Sequence, residues 1–252
     1  AERYVREWLN AQAAGGYVTY DPSTQRYELP AEQAMALADE NSPAFVCGAF
    51  ELATATLKAE SHIEDIFRSG AGYGWHEHDS GVHTGCERFF RPGYNANLVS
   101  TWIPALEGVE EKLRVGATVA DIGCGLGASS RLMAEAYPRS KVTGFDYHKQ
   151  SVELARHKAL EAGLSDRLHF EVAPAAAFPG SGYDLVTTFD SLHDMGDPVG
   201  AARHVKQALA KDGTWLIVEP IAGDTVESNL NPVGRAYYAG ETPFNLVYEV
   251  RP

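Results

Sequence analysis

Val5, Leu9 and Ala13 recur at helical spacing, and Gly15-Gly16 stops the run, so the chain is expected to open on a helix over 2–14. Two short alternating stretches, 17–20 and 26–29, flank D-P-S-T-Q and read as a β-hairpin with a five-residue turn. Pro30 then opens another helix. A helix followed by such a ribbon is the back half of a winged-helix fold, whose two earlier helices would lie ahead of Ala1. Residues 1–40 are therefore expected to form a winged-helix remnant. Residues 41–108 read as a helical linker and lid, with helical runs at 45–69 and 85–105. Between these runs lies the loop A-G-Y-G-W-H-E-H-D-S-G-V-H-T-G.

From residue 109 the pattern alternates. Strands are expected at 118–122, 141–146, 168–172, 183–189, 214–219 and 244–250, with helices at 128–136, 149–162 and 199–209. Such alternation argues for an α/β fold, a parallel sheet with helices on both faces. Its ligand would sit beyond the carboxyl end of the first strand, at the switch point. Residues 220–243 are too few for an ordinary helix and strand with their loops. The helix beginning at G-R-A-Y-Y-A is expected to stop after six residues, with a segment missing between about Tyr238 and Glu241.

V-A-D-I-G-C-G-L-G-A-S follows an expected strand and opens an expected helix. Gly123, Gly125 and Gly127 allow a tight turn and let a ligand touch backbone. A turn of this kind without any ligand is the plain alternative. The spacing is G-x-G-x-G, not the G-x-G-x-x-G of a pyrophosphate loop. Asp121 would repel a pyrophosphate yet suits a ligand carrying an ammonium and a sulfonium. Asp146 ends the second strand in G-F-D-Y-H, where a carboxylate can accept both ribose hydroxyls of an adenosyl group. These features point to S-adenosylmethionine (SAM), with NAD a distant second.

The segments resemble motif I and the acidic loop of class I SAM-dependent methyltransferases. The likeness extends through F-E-V-A-P, where Ala173 and Pro174 would lie near the adenine, and through Y-D-L-V-T-T-F-D-S-L-H-D. With the N-terminal zone included, the chain is similar to bacterial, especially actinobacterial, methyltransferases with an N-terminal winged helix, often labelled transcriptional regulators. The resemblance implies a Rossmann-like SAM-binding domain over 109–252. It implies a cofactor set of Asp121, Gly123, Cys124, Gly125, Gly127, Asp146, Tyr147, Ala173, Pro174, Phe189 and Asp190. The stretch F-D-S-L-H-D-M-G-D-P is similar to the segment of plant small-molecule O-methyltransferases in which the histidine of an H-D pair is the base. Carried over, His193 is the general base and Asp194 its orienting neighbour. The alternative is that His193 caps the sheet or contacts the methionine end of SAM. Asp190 is also expected to line the pocket.

The loop's His76, Glu77, His78, Asp79 and His83, with Cys86 beyond, could hold a metal, but they match no fixed zinc signature and methyl transfer from SAM needs none. No metal is expected. A mobile lid or acceptor wall is the preferred reading, with Trp75, His76, Phe90 and Tyr94 as lid or substrate residues. Core packing is an equal alternative for the aromatics.

Composition narrows the partners. The net charge of −13 counts against non-specific affinity for nucleic acid or anionic membrane. Over residues 1–30 three arginines (Arg3, Arg6, Arg26) face four acids (Glu2, Glu7, Asp21, Glu28), the reverse of a DNA-reading face. That disfavours a SAM-sensing, DNA-binding regulator. It favours an enzyme acting on a small, aromatic or apolar acceptor, paired as a homodimer through Val5, Trp8, Leu9 and Tyr17. Three widely spaced cysteines and the lack of a secretory leader lead to the expectation of a cytoplasmic protein.

Overall fold

The computed structural model describes the backbone of residues 1–244 and side chains as far as residue 239. The N-terminal zone is helix α1 (Glu2–Ala14), a hairpin of β1 (Thr19–Asp21) and β2 (Arg26–Glu28), and α2 (Ala31–Leu37). The hairpin differs from expectation by one pair. Asp21 pairs with Arg26, which leaves a four-residue loop. The Asp21 carboxylate shapes that loop by accepting from the Ser23 amide and hydroxyl and the Thr24 hydroxyl, at 2.8, 2.7 and 2.6 Å. Neither α1 nor α2 buries a residue.

The second zone holds α3 (Cys47–Thr56), α4 (Glu60–Ser69) and α5 (Ser80–Asn97), and α5 passes into a π turn at Leu98–Trp102. The end of the expected loop, from Ser80 onward, is in fact helix. Asp79 caps α5 by accepting from the Gly81 amide at 2.9 Å, so His83 lies inside α5. Helix α6 (Val109–Val115), which the pattern did not announce, leads into the sheet.

The sheet has five parallel strands in the order β5-β4-β3-β6-β7, where β3 is Thr118–Ile122, β4 Lys141–Asp146, β5 Leu168–Val172, β6 Tyr183–Phe189 and β7 Leu209–Val218. The last begins five residues earlier than expected, because a register shift near Tyr183 lets Leu209 join the ladder. Helices α7 (Ala128–Ala136) and α8 (Lys149–Glu161) cover one face, with Met133 and Val152 packed on Val119 and Leu185. Helix α9 (Pro198–Ala208) covers the other, with Val205 and Ala208 on Ala120, Phe145 and Val186. Alternate residues of β3 and β6 thus feed opposite cores, which explains why both strands are buried on both faces. The chain leaves β3 towards β4 and later returns on its other side to β6. The strand ends beside that reversal form the crevice where ligands bind in such sheets.

Beyond β7 come the short α10 (Val226–Asn229) and α11 (Pro232–Phe244). Helix α11 runs through Ala239 and Gly240, so no break separates Tyr238 from Glu241 and the helix does not stop after six residues. The strand expected at 244–250 lies outside the described residues, apart from Phe244, which ends α11.

Candidate active site

A cavity of about 680 Å³ opens at the carboxyl ends of β3, β4 and β6, between the sheet and α5. Its three glycines serve different ends. All have positive φ: 71° at Gly123, 50° at Gly125 and 81° at Gly127. A Cβ at Gly123 would stand 2.6 Å from the Ser191 hydroxyl, and one at Gly127 would stand 2.5 Å from the Phe170 ring. A Cβ at Gly125 would meet nothing within 4 Å, and Gly125 lines the cavity. This glycine therefore leaves backbone open to a ligand, whereas Gly127 is needed for packing and does not line the cavity.

Asp146 is only 7% exposed. Its carboxylate accepts from the Gly125 and His148 amides at 2.9 and 2.8 Å. Burial raises its pKa, and those two amides oppose the rise. Each oxygen has one protein donor and a second lone pair, which fits a vicinal diol. Tyr147, Ala173 and Pro174 stand beside it in the wall. These residues make a cradle that fits an adenosyl ribose.

Asp121 does not line the cavity. It is buried under the start of α7, where its carboxylate accepts from the Ser129, Ser130 and Thr187 hydroxyls at 2.6, 2.6 and 2.8 Å. Burial raises its pKa, against the pull of those hydroxyls. Its place is under the glycine loop, bracing β3 to β6 and α7.

At the other end Phe189, Asp190, His193 and Asp194 converge. Asp190 has a φ of 50°, a conformation uncommon outside glycine that is found at functional sites. His193 Nδ1 makes a short contact with Glu219 Oε2, and Nε2 lies 3.3 Å from Asp194 Oδ1. The second Glu219 oxygen accepts from the Ser191 and Leu192 amides at 3.1 and 2.8 Å, which fixes the carboxylate. The Glu219 bond, aided by the Asp194 charge and opposed by burial, raises the His193 pKa to about 9. Glu219, just past β7, stands where the sequence predicts no more than a strand end. An acid followed by proline at a strand's carboxyl end was the available signal.

The facing wall is α5, with Cys86, Glu87, Phe89, Phe90 and Tyr94. Tyr94 packs against Phe189 at 5.4 Å between ring centroids, and Trp102 stacks on Phe189 at 6.1 Å. Trp75 also lines the cavity; His76 does not, resting instead against Tyr147 at 5.9 Å. The rest of the histidine-rich segment is occupied with its own structure. The Glu77 carboxylate accepts from the Gly74 amide at 2.6 Å, and His78 is buried against Tyr73. His83 bonds the Trp75 carbonyl at 3.0 Å and lies 4.4 Å from the His148 ring, a contact the sequence did not reveal. Among the described residues, the group whose ligand atoms gather within 4.8 Å is Asp190, His193 and Glu219, not this segment.

Comparison with known proteins agrees with this fold. A methyltransferase-domain family model matches residues 113–238, and an Rv2258c-like winged HTH domain model matches residues 1–39. A ubiquinone biosynthesis O-methyltransferase of Paracidovorax citrulli is 33% identical over 163 residues, covering 62% of this chain and 64% of the relative. The 27-O-demethylrifamycin SV methyltransferase of Amycolatopsis mediterranei is 36% identical over 118 residues, covering 44% and 43%. The chain thus spans less than two thirds of these relatives. An O-methyltransferase family protein from Burkholderia thailandensis shares the fold, with a TM-score of 0.73 at 17% identity over 100% of this chain and 75% of that one. The chain belongs to the class I SAM-dependent methyltransferases, with a winged-helix segment at its N-terminal end.

Proposed function

We propose that the protein transfers the methyl group of SAM to a hydroxyl of a small-molecule acceptor, with His193 as general base. The observation that carries this reading is the tight His193–Glu219 contact at the cavity wall. Gly123, Cys124 and Gly125 hold the methionine end of the cofactor beside the start of α7, where helix polarity favours its carboxylate. Asp146 accepts the ribose hydroxyls, with Tyr147, Ala173 and Pro174 around the adenine. Phe189 and Asp190 lie between the cofactor and the acceptor. Asp121 supports the loop from beneath. When bound, the sulfonium supplies a methyl group already activated for transfer.

The chain's own task is then alignment and proton removal. Glu219 holds Nδ1 of His193, which leaves Nε2 to take the acceptor's hydroxyl proton. Asp194 beside Nε2 stabilises the imidazolium that results. Phe90, Tyr94 and Trp75 exclude water from the acceptor; His76 bears on Tyr147 from outside. The protein is further proposed to pair with a second copy through residues 1–40 and to work in a reducing compartment, the cytoplasm, in keeping with three free thiols. Among the described residues no helix is long and apolar enough to cross a membrane.

The test is methyl transfer from labelled SAM to simple catechols. His193→Ala should lower turnover by about 10²–10⁴-fold while SAM affinity stays nearly unchanged. Equal turnover in variant and wild type would remove His193 from the chemistry.

A further inference from the structure

Helix α5 turns one face to the strand ends. Cys86, Phe90 and Tyr94 follow one another at helical spacing on that face, and all three line the cavity. Three rings fix the tilt of Tyr94. Its centroid lies 6.3 Å from that of Phe90, 5.4 Å from Phe189 and 6.3 Å from Trp102. Trp102 is brought round by the π turn that follows α5.

A tyrosine set this deeply ordinarily spends its hydroxyl on a protein partner. Tyr73 and Tyr183 do so, donating to the Glu77 and Pro179 carbonyls at 2.7 and 2.8 Å. The Tyr94 hydroxyl makes no hydrogen bond among the described residues, and it is not sealed off, so it opens on the cavity. Burial above all, with the Asp190 charge behind it, holds the phenol well above its usual pKa. His193 gives up its proton near pH 9, so the phenol is still protonated when the imidazole becomes a base. Asp190 and Glu219 act on both groups, which puts phenol and imidazole at the same end of the cavity. Donors are scarce on the rest of the wall. The hydroxyls of Ser129, Ser191 and Ser151 are engaged with Asp121, the Ile122 carbonyl and His148. Neither lysine nor arginine lines the cavity among the described residues. An acceptor oxygen losing its proton gathers negative charge, and in a largely apolar chamber that charge needs a donor already in place.

We propose that Tyr94 is a catalytic residue, its hydroxyl donating to the acceptor oxygen while His193 Nε2 takes that oxygen's proton. This deepens the O-methylation reading above and rests on it. The acceptor's O–H bond breaks towards Nε2. Its oxygen forms the new bond to the methyl carbon as the S–C bond of SAM breaks, and S-adenosylhomocysteine leaves with that electron pair. Tyr94 keeps its own proton throughout.

The test is Tyr94→Phe, which removes one oxygen and keeps the ring among Phe90, Phe189 and Trp102. Its thermal midpoint should not fall, since the lost hydroxyl has no protein partner, and its affinity for S-adenosylhomocysteine by calorimetry should be unchanged. Two readouts then bear on the donor. In the first, 4-nitrocatechol is bound to the S-adenosylhomocysteine-loaded protein and its ionisation is followed by absorbance. The ionisation constant should be about 10-fold larger in the wild type than in Tyr94→Phe. In the second, turnover with SAM should fall about 100-fold for 4-methylcatechol. It should fall about 10-fold or less for 4-nitrocatechol, whose oxyanion spreads its charge over the ring and needs the donor less. Equal ionisation in the two proteins, no binding of 4-nitrocatechol, an equal loss of turnover for both catechols, or weaker S-adenosylhomocysteine binding in the variant overturns the proposal. The expected ionisation difference without methyl transfer by the wild type keeps the donor and sinks the O-methylation reading instead.

Discussion

Asp146 and Glu219 are both acids just past or at a strand end, yet their surroundings give them opposite tasks. Asp146 is buried with one amide on each oxygen, which leaves acceptor capacity for a neutral diol. Charge-assisted hydrogen bonds contribute about 1.5–3 kcal/mol. Asp146→Ala should therefore weaken SAM about 10- to 100-fold. Unchanged affinity by calorimetry would show that the ribose lies elsewhere. Glu219 spends one oxygen on two amides and the other on His193. A histidine acts as a base only when neutral, and His193 is held protonated up to about pH 9. Turnover should therefore rise with pH through neutrality and level off only above about 9. Removing the first cause of the shift moves the inflection down. In Glu219→Gln the rise should fall towards the ordinary imidazole value of about 6.5, with a lower plateau. A pH profile that does not move would separate Glu219 from the base.

At the scale of elements, the cavity depends on how closely α3 and α5 approach. Gly48 and Gly85 let the two helices meet backbone to backbone. A Cβ at Gly48 would stand 2.3 Å from the Phe89 amide nitrogen, and one at Gly85 would stand 2.6 Å from that of Leu52. Alanine in a helix gains about 1 kcal/mol over glycine, but backbone cannot yield to such an overlap, and overpacking costs about 1–3 kcal/mol. The clash should win, so Gly48→Ala should lower the thermal midpoint by several degrees, about 2–4 °C for each kcal/mol lost. Gly93 provides the contrast. It lies in the same α5 with nothing within 4 Å of its missing Cβ, so Gly93→Ala should raise the midpoint. If both variants shift alike, the close approach of α3 and α5 is not what fixes the acceptor wall.

For the whole molecule, the N-terminal zone has no core of its own. Helices α1 and α2 bury nothing, and Tyr4, Trp8 and Met35 are 83%, 59% and 48% exposed. Apolar surface on that scale, at a segment too small to fold around itself, calls for a partner. The acidic balance of residues 1–30 argues against DNA. Light scattering should therefore report twice the chain mass, and Trp8→Glu should halve it without loss of SAM binding. A wild-type monomer, or tight salt-sensitive binding to duplex DNA, would contradict this.

How far the sequence alone reached follows from the range of the forces involved. Strand limits on β3, β4, β5 and β6, the glycine loop, and the position of Asp146 and His193 at the cavity were legible because periodicity and turn chemistry are local. Local pattern could not say that Asp121 faces inward to three hydroxyls, since that depends on where α7 and β6 pack. Nor could it see Glu219 reach His193, 26 positions away along the chain, or His83 meet His148 from another zone. It also misjudged α11, where an expected stop at Ala239-Gly240 gives way to continuous helix. The sequence by itself determined the family and the cofactor loop, because those reside in contiguous residues with fixed spacing. Tertiary structure alone decided which groups each acid meets, and that Glu219 and Asp194 close on His193, because charge interacts through space and not along the chain.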